Sequence, residues 1–230
     1  MAMDSGSDSD NEHLQYKVMI MGDGAVGKTS LINRYCEGGF MGSYKQTIGL
    51  DFFSKNVVLP GDVHVTLHIW DIGGQQIGGK MLSKYIHGCH AVCFVYDSTN
   101  AESFKNVEDW LQSVTDAFKD APQQPYKSLV ANKMDLINRQ VKPEKHLAFA
   151  TDQKLVPFAV SAKSGDKVNS MFQRIAADLA GVQLSKAELE IVDGTVTASI
   201  VQHPAAPVPQ HIQQPPLLRD QEKEDGCVMM

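Results

Sequence analysis

The run Gly22-Asp23-Gly24-Ala25-Val26-Gly27-Lys28-Thr29 sets two glycines, a lysine and a hydroxyl at the spacing G-x-x-x-x-G-K-[ST]. Glycines let a backbone curl so that successive N–H groups point inward and surround phosphate oxygens. Lys28 can place its charge on β- and γ-phosphates, and the Thr29 hydroxyl can ligate Mg²⁺, with Ser30 next in the same turn. A chance glycine-rich turn would not need an apolar strand before it and a helix after it, and both are expected here. The loop leaves the base undetermined, because ATPases and nucleotide kinases build the same cradle.

A second set of residues could read a base. In Asn132-Lys133-Met134-Asp135, the Asp135 carboxylate can accept from the N1–H and exocyclic amine of guanine together. Adenine lacks that donor pair and would leave the carboxylate unpaired. Asn132 is placed to tie neighbouring loops together, and the Lys133 stem to cover one face of the base. Ser161-Ala162-Lys163 follows a short apolar run and could offer a backbone N–H to the guanine carbonyl. Each short string alone is more often a polar loop; their order after the phosphate loop gives them weight.

Taken together these motifs resemble the Ras superfamily of small GTPases over about residues 14–181, and within it the Rab branch. The resemblance implies a P-loop G domain of the α/β class, with a mostly parallel six-stranded sheet and helices on both faces. It also implies roles. Phe40 matches an aromatic that packs edge-on against the base. In Trp70-Asp71-Ile72-Gly73-Gly74-Gln75, Asp71 would hold Mg²⁺ through water, the Gly74 N–H would meet the γ-phosphate, and Gln75 would orient the attacking water. Tyr44-Lys45-Gln46-Thr47-Ile48-Gly49 resembles the first switch, where Thr47 would complete the Mg²⁺ shell. Loss of the γ-phosphate would release Thr47 and Gly74 together. No arginine matches a built-in catalytic finger, so slow intrinsic turnover and an activating protein are expected, along with an exchange factor and trafficking effectors.

The sequence departs from the branch in its second switch. Rabs typically carry Trp-Asp-Thr-Ala-Gly-Gln-Glu; here Ile72, Gly73 and Gln76 differ, and Ile77-Gly78-Gly79-Lys80-Met81 follows. That run resembles one divergent Rab subfamily, numbered twenty-eight, which points toward endosomal or ciliary and flagellar trafficking. Gly73 is expected to loosen the switch. A GTP-binding scaffold with little hydrolysis stays open as the alternative. An ATP-dependent kinase is opposed by Asp135 and by missing lid arginines.

The elements that must position these residues are legible as patterns. Val18–Met21 is an apolar run ending at the phosphate loop, and a helix should run from near Lys28 to the Glu37-Gly38-Gly39 stop. Val63, Val65, Leu67 and Ile69 alternate with polar residues, and Pro60-Gly61-Asp62 turns back to a strand near Phe52–Leu59. Ala91–Tyr96 and Ser128–Ala131 read as central parallel strands. Thr99 and Glu102 have capping-box spacing ahead of one helix bearing Phe104, Val107, Leu111, Val114 and Phe118. Val168, Met171, Phe172, Ile175 and Leu179 mark another. Ligand is expected where loops leave the carboxyl ends of the strands.

The remaining segments carry no such pattern. Residues 1–13 are expected as a disordered acidic arm and 182–226 as a flexible tail, with room for a few helical turns before the Pro- and Gln-rich chain. Cys227-Val228-Met229-Met230 fits a C-a-a-X box at 227–230 that favours farnesyl on Cys227. One prenyl chain gives reversible membrane binding, so a cytoplasmic protein that exchanges onto membranes with a prenyl-binding carrier is expected. The net charge of -6 repels phosphate and argues against nucleic acid as a partner. A monomer with reduced thiols is the expected state.

Overall fold

The computed structural model describes residues 13–40, 42, 45–74 and 82–194. Six strands form one sheet: β1 (Leu14–Met21), β2 (Leu50–Leu59), β3 (Val63–Ile72), β4 (Ala91–Asp97), β5 (Tyr126–Asn132) and β6 (Val156–Ala159). Their order is β2-β3-β1-β4-β5-β6, with β2 antiparallel to β3 and every other pairing parallel. The hairpin turns at Pro60–Asp62 and pairs Leu59 with Val63, as the alternation in β3 requires.

The apolar runs of the central strands feed two cores at once. Val18 and Ile20 of β1 join Ala91, Cys93 and Val95 of β4 on one face; Met19 and Met21 join Val92, Phe94 and Tyr96 on the other. A strand covered on both sides has no polar face to show, which is why alternation disappears there. The first face is covered by α1 (Lys28–Glu37) and, later in the chain, a helix over Val168–Ala180; Tyr35 of α1 stacks on Phe172 with ring centroids 4.1 Å apart. The second is covered by α2 (Leu82–Ile86), α3 (Ala101–Lys105), α4 (Val107–Ala117) and α5 (Pro143–Asp152). Each large side chain buried this way contributes about 1.5–3 kcal/mol.

Two expectations are corrected in this layer. The cap before α3 is Asn100, whose side chain accepts from Glu102 N and Ser103 N, while Thr99 donates its hydroxyl to Asp97. Asn carries a carbonyl at the length of the Asp cap, so it takes the position one residue nearer the helix. The apolar face from Phe104 to Phe118 also belongs to two helices that break at Asn106. Trp110, fully buried, fills the centre of that face where Leu111 is only partly covered.

The helix over Val168–Ala180 is α6, with Val168, Met171, Phe172 and Ile175 buried as its spacing implies. The chain then continues into α7 (Lys186–Val192), opened by a capping box between Ser185 and Glu188. Asp193 at its end accepts from Ser170 N in the first turn of α6. The rest of the expected tail, the box at 227–230 and nearly all of the acidic arm lie outside the described residues. No described helix is long and apolar enough to cross a membrane.

Candidate functional site

Between β1 and α1 the phosphate loop lies at the carboxyl end of the sheet. Lys28 is buried, and its Nζ donates to Gly22 O at 2.8 Å and Asp23 O at 2.7 Å. Burial lowers its pKa to about 8, against the pull of Asp71 and Asp23 toward the charged form. A charge held on carbonyl oxygens alone in so dry a place has much to gain from an anion. Helix α1 starts at Gly27 with φ 94° and no side-chain cap, leaving its first N–H groups for a ligand. A Cβ on Gly27 would stand 2.5 Å from Asn132 Nδ2, so glycine lets the phosphate loop touch the base strand.

The hydroxyls and carboxylate expected at Mg²⁺ meet in one place. Thr29 Oγ1 and Thr47 Oγ1 are 2.8 Å apart, Thr29 donates to Asp71 Oδ2, and Thr47 donates to the same oxygen at 3.3 Å. Asp71 is fully buried, and its Oδ1 finds no partner among the described residues. Burial raises the Asp71 pKa, with the Thr29 bond and Lys28 opposing. Three oxygen donors with one orphaned carboxylate oxygen are the hard-ligand set that Mg²⁺ takes.

Gly73 is held, contrary to the expectation that it loosens the switch. Its N–H donates to Gly49 O at 3.0 Å, and a Cβ there would meet Thr47 O at 2.7 Å. The missing methyl lets the two switch segments touch. Gly74 in turn lies against the backbone of Asp23 and Gly24, at the phosphate loop.

On the other side of the loop, Asn132 binds at both ends of its amide: Nδ2 donates to Val26 O at 2.9 Å, and Oδ1 accepts from Ala162 N at 3.1 Å. It thus ties the loops together as expected. Lys133 donates to Ala25 O at 2.9 Å and pairs with Asp97 at 2.7 Å. Burial would raise the Asp97 pKa, but the bonds from Lys133 and Thr99 outweigh it and the net shift is down. Ser161 donates its hydroxyl to Asp135 Oδ1 at 2.7 Å. Ala25, Gly27, Ser30, Phe40, Asn132, Lys133, Asp135, Ala162 and Lys163 line one cavity of ≈ 290 Å³. Phe40 is 40% exposed at its mouth. Tyr44, Gln75 and Cys227 lie outside the described residues.

Sequence reasoning passed over the Asp23 side chain, which accepts from Asn106 Nδ2 at 2.8 Å and Trp110 Nε1 at 3.0 Å. This tethers the phosphate loop to α4. The signal was the four-residue spacing of Asn106 and Trp110, which puts both on one helical face.

A glycine cradle, a buried lysine, a hard-cation donor set and a base cavity joined through Asn132 on this sheet define a nucleotide-binding G domain. The chain belongs to the Ras family, whose profile matches residues 17–181. It is 42% identical over 198 residues to the Ras-related protein Rab-28 of Caenorhabditis elegans, an alignment covering 86% of this chain and 80% of that protein. The resemblance to the Rab branch holds, and the protein is a Rab-like small GTPase, a GTP hydrolase that binds guanine nucleotide.

Proposed function

We propose that the site works as a Mg²⁺-dependent GTP switch whose parts are assigned as follows. The backbone of Gly22–Gly27 and the Lys28 ammonium bind the phosphates; Thr29, Thr47 and, through water, Asp71 hold Mg²⁺. The chemistry Mg²⁺ supplies there is neutralisation of charge on the β- and γ-phosphate oxygens. Asp135 reads guanine, Phe40 and the Lys133 stem flank the base, and the Ser161–Lys163 loop meets its carbonyl. Gln75 orients the attacking water, and Thr47 with Gly74 reports the γ-phosphate to effectors. Positioning and electrostatic stabilisation carry the rate, since little covalent chemistry is asked of the protein.

The observation that carries this reading is Asn132, which bonds the phosphate loop and the base loop with one side chain. Around it we place a G domain at 14–181, a tail at 182–226 and a farnesyl on Cys227. The supporting features are the acidic tail and its single box cysteine, which suit a monomer exchanging between cytosol and membranes on a prenyl-binding carrier. Exchange factor, activating protein and trafficking effectors complete the cycle.

The test is to denature purified protein, identify the released nucleotide, and follow GTP turnover with and without Mg²⁺. GDP or GTP is expected, with turnover lost on chelation. Gln75→Leu should slow single-turnover hydrolysis by about 100-fold while nucleotide stays bound. Release of adenine nucleotide would overturn the base assignment, and unchanged hydrolysis in the variant would remove Gln75 from the mechanism.

A further inference from the structure

We propose that Arg34 is a positioning residue for guanine, a three-way clamp that orients the base loop from behind. The inference rests on reading Ser161–Lys163 as the loop that meets the guanine carbonyl. Arg34 lies on α1, with its guanidinium turned to the Ser161–Lys163 loop. Its Nε donates to Ala162 O at 2.9 Å, Nη2 to Lys163 O at 2.5 Å, and Nη1 to Gly38 O at 2.9 Å. Among the described residues it makes no ion pair. A guanidinium spending its fork on three carbonyls is doing backbone work, and its planar donors fit that task where a lysine ammonium would not.

The consequence is directional. A trans peptide points its C=O and its N–H opposite ways. Pinning Ala162 O to Arg34 therefore turns the Lys163 N–H away from Arg34. Asn132 Oδ1 holds the preceding peptide through Ala162 N at 3.1 Å, so both peptides flanking Ala162 are fixed. The third bond reaches Gly38, the α1 C-cap with φ 71°, whose N–H returns to Arg34 O at 3.1 Å. Two residues later comes Phe40, at the mouth of the same cavity. One side chain thus couples the base loop to the segment that carries the flanking aromatic.

The experiment measures release of a fluorescent GDP from full-length wild type, Arg34→Ala and Arg34→Lys, with single-turnover GTP hydrolysis, melting temperature and ADP competition alongside. Arg34→Ala should speed GDP release about tenfold. Arg34→Lys should fall between, and hydrolysis of GTP already bound should change far less than release does. If Arg34→Ala does not fold, Arg34→Lys decides: faster release supports the clamp, and a wild-type rate overturns it. Release and hydrolysis changing in step with a lowered melting temperature would mark a general structural role and overturn it too. ADP competing as well as GDP in wild type would sink the guanine reading and the clamp together. Intact guanine selectivity with unchanged release in both variants would sink the clamp alone.

Discussion

The base end and the switch end of this site are built by different means. At the base end, Asn132, Lys133 and Arg34 bond to backbone and Ser161 to Asp135, so the loops hold each other before any ligand arrives. At the switch end the contacts converge on groups left wanting: the Asp71 Oδ1 without a partner, and Lys28 held on two carbonyls. Beside the β2–β3 pairing, the two switch segments meet among the described residues through Gly73 N–H to Gly49 O at 3.0 Å and Thr47 Oγ1 to Asp71 Oδ2 at 3.3 Å. A base pocket wired in advance gives tight, selective retention, because little ordering remains to be done on binding. A switch end with few internal bonds can order or release according to the phosphates present. With the roles proposed above, the difference places affinity and switching in separate bond sets within one site.

The largest expected effect tests the wired end. Asn132→Ala removes two side-chain bonds and leaves Val26 O and Ala162 N buried without partners. Stopped-flow release of GDP should accelerate about 100-fold, equivalent to roughly 2.7 kcal/mol. Rates within threefold of wild type would mean that the two loops hold their geometry without Asn132, and the contrast between the ends would collapse.

A smaller effect tests the switch end. Gly73→Ala puts a methyl 2.7 Å from Thr47 O, closer than a Cβ can stand to a backbone oxygen, so the segments must part. The expected result is about a fivefold loss of preference for GTP over GDP, within the usual cost of overpacking. Release of GDP should stay near the wild-type rate because Asn132 and Asp135 are untouched. An equal loss for both nucleotides would show the ends to be one mechanical unit.

How far the sequence disclosed these two ends follows from the same contrast. Residues we assign to nucleotide and Mg²⁺ by type and spacing, such as Lys28, Thr29, Asp71 and Asp135, were open to sequence reasoning because the proposed chemistry restricts their types. The sheet was legible because central strands buried on two faces must be apolar throughout. Residues that act on backbone geometry were not. Arg34 looks like any charged residue on a helix, since two of its three partners lie 128 and 129 positions away. Gly73 has no side chain to advertise that Thr47 O stands against it. The break at Asn106 was hidden because the apolar spacing runs across it, and Asn100 was passed over for Thr99, a residue that also caps helices and stands at capping-box spacing from Glu102. Tertiary contacts decided the roles of Arg34 and Gly73, and local pattern carries no record of them.

The smallest effect separates the ends by acid. Tyr96 of β4 stands directly before Asp97, which pairs with Lys133 at the base end, and its Oη lies 3.0 Å from Nδ1 of His146 on α5. His146 is buried, and desolvation lowers its pKa to about 4 from an ordinary 6.5. The neutral ring is favoured in the fold, while the unfolded chain takes up its proton from about pH 6.5 downward. Between those values the unfolded state binds more protons, so stability must fall as pH falls. The contribution is whole above about pH 6.5 and is lost by about pH 4. Asp97 does not share the change, because its own pKa is shifted down. Melting temperatures measured from pH 7 to pH 4.5 should decline, and His146→Gln should flatten that decline while lowering stability at pH 7. A wild-type slope that the substitution leaves untouched would place the acid sensitivity elsewhere. The base end would then be as indifferent to acid as its salt bridge alone implies.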